Sequence, residues 1–123
     1  MALLTKSSYL AGLQCPGLLW TKVNDKGKIP KPDKLALKKF EMGTFVGELA
    51  TKVFPKGIDL ANLDFKENIA QTKKSLKKKA PIFEAGFIVD GLYSRADILF
   101  PTGDNKWDIL EIKSATGVKK ISV

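Results

Sequence analysis

An α+β fold, with helices first and a three-stranded antiparallel meander after them, is what this sequence predicts, and three observations predict it. In the first half, apolar residues such as Leu37, Phe40, Val46, Leu49, Ala50 and Val53 keep roughly helical spacing. The last third instead holds β-branched and aromatic runs bounded by Asp90-Gly91 and by Pro101-Thr102-Gly103-Asp104-Asn105-Lys106, which are dense in turn formers. Helical segments and strand segments do not alternate, and that segregation is the mark of the α+β class.

Each element follows in order. Ser7 or Ser8 can cap a first helix that runs to about Trp20, and Asn24 to Asp33, with Gly27, Pro30 and Pro32, reads as a loop. Asp33 caps a long helix, which Pro55-Lys56-Gly57 ends. Asn62 to Phe65 favour neither state. Lys66 to Lys79 form a second amphipathic helix with Ile69, Thr72 and Leu76 on one side. Strands follow at Ile82 to Val89, Leu92 to Phe100 and Trp107 to Lys113.

Composition bounds the function. At 123 residues the chain is one domain, 1–123, large enough for a modest core. A hydrophobic share of 44% and a charged share of 28% are those of a folded protein. The single Cys15 excludes an internal disulfide framework and fits a reducing compartment. The apolar stretch Leu10 to Trp20 is broken by Gly12, Gln14 and Pro16, which makes it neither signal peptide nor membrane span. A cytoplasmic location is therefore expected, with no membrane partner.

A formal charge of +8 attracts polyanions through counterion release, so DNA is the expected partner. Lysines concentrate in Lys26 to Lys39 and in Lys66 to Lys79. Lys73, Lys74, Lys77 and Lys78, together with Arg95, are the candidate nucleic-acid contacts. An ordinary solvated helix face carries the same lysine pattern and is the simpler account of that run.

Asp97, then Glu111, Ile112 and Lys113, form the most informative pattern. In a strand Glu111 and Lys113 share one face and Ile112 takes the other. With the hairpin loop centred on Asp104, Phe100 faces Asp108, and by the same count Asp97 lies across from Glu111, at about 5 Å. Two carboxylates that close repel unless a proton or cation sits between them. Hard oxygen ligands with open coordination positions suit Mg²⁺ or Mn²⁺.

The pattern Asp, gap, Glu-x-Lys resembles the PD-(D/E)XK nuclease superfamily, and its surroundings resemble the RecB-like branch. Gly91-Leu92-Tyr93-Ser94-Arg95-Ala96-Asp97-Ile98-Leu99 is similar to that branch's strand ending in R-x-D-x-L, and Glu111-Ile112-Lys113-Ser114-Ala115-Thr116 to its E-[VI]-K-S-x-T. The opening Ser8-Tyr9-Leu10-Ala11-Gly12-Leu13-Gln14-Cys15-Pro16, with Leu19-Trp20 following, is similar to the start of these proteins. The resemblance implies a partial restriction-endonuclease-like core that hydrolyses DNA phosphodiester bonds with Mg²⁺ or Mn²⁺. It makes Asp97, Glu111 and Lys113 the catalytic residues, and Asp97, Glu111, the Ile112 carbonyl and Glu48 the metal ligands. Glu84 is a further acidic candidate.

The chain departs from the branch in three ways. It contains no histidine, so a role that the branch gives to His on the helix with Gly43 and Gly47 is either absent or passes to Glu48. The branch's later helix and strand are not expected within 123 residues, so the expectation is a fragment of a longer protein, a layer supplied by another chain such as a second copy, or a degenerate remnant. One cysteine cannot hold an iron–sulfur cluster, so none is expected.

Simpler structural roles compete with these. Asp97, Glu111 and Lys113 could be polar residues of an amphipathic hairpin, but both acids lie inside apolar strands, where burial needs compensation. Gly43 and Gly47 fit a small-residue stripe for close helix packing, and Glu48 fits a surface helix position equally well. Cys15 fits a small core residue, and Trp20 and Trp107 fit packing. A non-catalytic nucleic-acid-binding or assembly module is the alternative function.

Overall fold

The long helix forms where its cap and spacing place it. The computed structural model describes residues 3–115, and in it Asp33 accepts the Ala36 N–H at 2.7 Å to start α3, Lys34–Val53. The expected first helix is instead two: α1, Lys6–Gln14, and α2, Pro16–Asn24, break at Cys15 because Pro16 has no N–H to continue α1 and suits the first turn of α2. Thr5, rather than Ser7 or Ser8, caps α1 by accepting the Ser8 N–H. Asp64 caps α4, Phe65–Ser75, which tightens into a 3₁₀ turn over Leu76–Lys78 and ends at a left-handed Lys79.

The strands are β1, Leu4–Thr5; β2, Ile58–Asp59; β3, Ile82–Val89; β4, Leu92–Gly103; and β5, Lys106–Leu110. β3, β4 and β5 are antiparallel neighbours in chain order, and Phe100 faces Asp108 as the sequence predicts. The sheet as a whole is nevertheless mixed and not an antiparallel meander. β1 pairs in parallel with the start of β4, and β2 pairs in parallel with β3. Each of these strands has two residues, too few for a period of two to register in a sequence.

Asp90 and Gly91, both left-handed, close the β3–β4 hairpin as a two-residue turn. β4 runs three residues beyond its expected end, and a register shift between Pro101 and Gly103 lets the chain turn at Asp104-Asn105. β5 stops at Leu110, so Glu111 to Lys113 lie just past the strand rather than in it.

The core is Leu60, Ile82, Ala85 and Leu99, with Ile58, Leu63, Leu76 and Trp107 packed against it. α4 lies on β3 through Asn68, Thr72 and Ser75. α3 contributes little to this core. Its Leu35, Met42, Phe45, Leu49 and Val53 recur at helical spacing along one face and are 43–68% exposed. Trp107 packs as expected, whereas Cys15 and Trp20 are exposed and no part of the core, since α1 and α2 lean on each other at the edge of the sheet. Among the described residues no helix is long and apolar enough to cross a membrane.

Candidate functional site

Asp97 occupies the middle of β4, the central strand, and the register places an acid on each side of it. Phe83 pairs with Ile98 and Ala85 with Ala96, which puts Glu84 directly opposite Asp97 on β3. Ile98 pairs with Leu110, and one more step puts Glu111 opposite Asp97 on the other side. Three carboxylates therefore stand in one row across the sheet, although β5 has ended before its member is reached.

The two neighbours are not equivalent. Glu84 sits at φ 57, a left-handed conformation within a strand, which costs a non-glycine residue roughly 1–2 kcal/mol. Its side chain lines, with Asp97, a cavity of about 440 Å³ whose walls include Glu48, Gly43, Gly47 and Thr51 from α3, Asp59 and Ile112. Burial pushes the Glu84 carboxyl above its ordinary value, the Asp97 charge pushes it further, Arg95 pulls it back, and Asp59 adds a smaller upward push.

Glu111 behaves differently. Its Oε1 accepts from Lys113 Nζ at 2.5 Å and from Lys6 Nζ at 3.2 Å, and these ammonium partners hold its carboxyl below the usual range. The same Glu111 contact raises Lys113 above the usual lysine value, with the Asp97 charge adding to it. Glu111 and Asp97 do share a second cleft, which Lys6, Arg95 and Ile109 also line. Both acids were expected inside apolar strands; Asp97 is half-buried but Glu111 is exposed, because the strand ends one residue before it.

Ile112 is tied to Asp97, but through its N–H, which donates to Asp97 Oδ2 at 2.7 Å. Asp97 thus fixes the segment that carries Glu111 and Lys113. Gly43 and Gly47 have open space where a Cβ would stand, so they are cavity wall and not a close-packing stripe. Glu48 is exposed on α3 and faces the same cavity. Thr116, the last residue of the motif, lies outside the described residues.

The proposed nucleic-acid contacts divide. Lys73, Lys74, Lys77 and Lys78 are all exposed on the solvent side of α4 and its 3₁₀ extension, away from the walls of the Asp97 clefts. Arg95 is largely engaged within the fold: its guanidinium donates to the carbonyls of Ala61 and Leu63 and to the Tyr93 hydroxyl.

A buried polar network supports the Glu84 side of the site, and the sequence reading did not find it. Asn68, fully buried, donates to the carbonyls of Leu60 and Glu84 and accepts from the Tyr93 hydroxyl. Thr72 donates to the Asn68 carbonyl and accepts the Gly86 N–H. A Cβ on Gly86 would overlap Asn68 Oδ1, so that position admits only glycine without a shift. The signal available was that glycine, since an isolated Gly inside a strand marks close approach of another group. Lys6 and Asp59 were also missed, because Lys6 directly follows one two-residue strand and Asp59 lies on another. No family model, curated protein or solved structure matches this chain, and the reading of the site therefore rests on its residues and their geometry.

Proposed function

We propose that this chain is a metal-dependent nuclease domain of the RecB-like PD-(D/E)XK kind, hydrolysing DNA phosphodiester bonds. One observation carries the reading: Asp97 faces an acid-lined cavity on one side and a lysine-bearing cleft on the other. Hydrolysis of a phosphodiester needs both, a carboxylate pair for a divalent cation and amines for the anion it attacks.

The donor set fits a small hard cation in a limited way. Among the described residues no three His, Cys, Asp or Glu side chains stand close enough to hold one ion together. Mg²⁺ takes one or two carboxylates and leaves the remaining positions to water and substrate phosphate, and Asp97 with Glu84 meets that requirement. Glu48 faces the same cavity from α3. Glu111, the ligand that the sequence motif suggests, joins them only by exchanging its lysine partners. When bound, such an ion acidifies a water and offsets phosphate charge. Lys113 is the group that orients the nucleophile, and Asp97 keeps it near through Ile112.

The test separates Asp97's charge from its hydrogen bond. Asp97→Asn retains an acceptor for the Ile112 N–H, so the folded state and its melting curve persist. Cleavage of linear or single-stranded DNA with Mg²⁺ or Mn²⁺ falls at least about a hundredfold, the upper end of what loss of a mere supporting group costs. Lys113→Ala loses cleavage as well. Undiminished cutting by Asp97→Asn would sink the proposal.

A second reading, a non-catalytic nucleic-acid-binding or assembly module, draws on the uncovered apolar face of α3. It requires metal-independent, salt-sensitive DNA binding with no cleavage, together with a solution mass of at least two copies. A monomeric mass removes the assembly form of that reading.

A further inference from the structure

We infer that Lys6 is a substrate-binding residue of this site, contacting a phosphate of the nucleic acid; the inference deepens the nuclease reading and takes from it only the identity of the anion. Topology delivers Lys6 there. Leu4 and Thr5 pair in parallel with Leu92 and Tyr93, Leu4 N–H donates to the Gly91 carbonyl, and the Thr5 hydroxyl caps α1. Lys6, the first residue of α1, is thus anchored on both sides, and it lines the cleft that Asp97 shares with Glu111 and an adjoining groove with Tyr93, Arg95 and Asp97, but not the acid-lined cavity.

Its partner there is Glu111, 105 residues away in sequence, and Lys113 contacts the same carboxylate oxygen. Two ammonium groups against one carboxylate leave an excess positive charge at this end of the site. The Lys6 and Glu111 side chains are 55% and 45% exposed, and ion pairs at such exposure contribute little to stability. A role as a fold staple therefore explains poorly why a lysine stands there. Exchanging the Glu111 carboxylate for a phosphate oxygen costs correspondingly little. On the far side of Asp97 the cavity is acidic, with Glu84, Asp59 and Glu48, so the negative and positive halves of the site meet at one residue. A phosphodiester and its counter-cation match that division.

Fluorescence anisotropy of a labelled single-stranded oligodeoxynucleotide, with the full chain in EDTA, tests this without metal or cleavage. Wild type is compared with Lys6→Gln, Glu111→Gln, the double variant, and Lys28→Gln as control. Lys28 also makes a largely exposed ion pair, with Asp25, so its loss removes the same charge elsewhere. Lys6→Gln is expected to weaken binding about three- to tenfold at low salt and to reduce the log–log salt slope by about 0.7, the value of one phosphate contact on a single strand. Lys28→Gln changes the slope little. Glu111→Gln tightens binding, and Lys6→Gln weakens it in that background too.

If Lys6→Gln has no effect once Glu111 is neutralised, Lys6 merely restrains Glu111 and the inference fails. It fails equally if Lys6→Gln matches Lys28→Gln, or if wild type does not bind. Binding that depends on Lys6 without Mg²⁺- or Mn²⁺-dependent cleavage would overturn the nuclease reading and leave this one standing. Cleavage unaffected by Lys6→Gln in both affinity and KM would do the reverse.

Discussion

Glu84 combines a left-handed backbone with a half-buried carboxyl facing Asp97, and both features oppose stability. Its carboxyl binds a proton more tightly in the folded chain than in the unfolded one. The folded state is therefore favoured below the ordinary carboxylate range, and that advantage is lost as pH rises through the raised folded value. Glu84→Gln is accordingly expected to raise Tm at pH 7 and to give no gain near pH 4, as thermal melts at the two pH values would reveal. Glu84→Gly relieves the backbone cost and should stabilise by about 1 kcal/mol in urea titrations while removing the acid from the cavity. Stabilisation with loss of function is the expected outcome for a residue kept for its chemistry. The sequence brought Asp97 to notice through its apolar flanks, but Glu84 only faintly. Its importance depends on φ and cross-strand register, and neither is written in residue type at one position.

Elements long enough to show a period were legible, and short ones were not. α3 started at its expected cap, β3 matched its expected limits, and the β4–β5 register followed from counting around the turn. β1 and β2 escaped because two residues carry no alternation, yet they bring Lys6 and Asp59 to the site. The seating of α4 was misread in a related way. Of the expected inner face Ile69, Thr72 and Leu76, Thr72 is buried and Leu76 packs against the core, but Asn68 and Ser75 rather than Ile69 complete the buried side, since hydrogen bonding to β3 and β4 decides the rotation of the helix. Asn68→Ala deprives the Leu60 and Glu84 carbonyls and the Tyr93 hydroxyl of a partner. The Tyr93 hydroxyl keeps Arg95 and the Leu60 carbonyl keeps the Leu63 N–H, so a loss of about 1–3 kcal/mol, the cost of a buried group that loses its partner, is expected from urea unfolding at unchanged slope.

Over the whole molecule, a formal +8 is spread around a site whose own cavity is acidic. The exposed lysines of α4 and its 3₁₀ extension stand apart from that cavity, and under the proposed function they would hold a polyanion in general rather than act on it. Single-stranded DNA affinity measured without metal is expected to fall roughly tenfold or more between 50 and 200 mM salt. Replacing Lys73, Lys74, Lys77 and Lys78 together should flatten that dependence without altering the metal requirement of cleavage; a salt response left intact would assign DNA binding to another face. Composition gives the net charge, but its placement relative to the acids required the fold.

The pairing of Lys6 with Glu111 joins the start of α1 to the segment just past β5. Synthesis releases the first of these groups long before the second, and contacts so distant in sequence form late and slowly. A ribosome-held chain displaying everything through β4 would carry Asp97 and Glu84 but lack both Glu111 and Lys113. Under the proposed function, such a nascent chain would lack the lysine and one acid of the site, and cleavage would begin only once translation had passed β5.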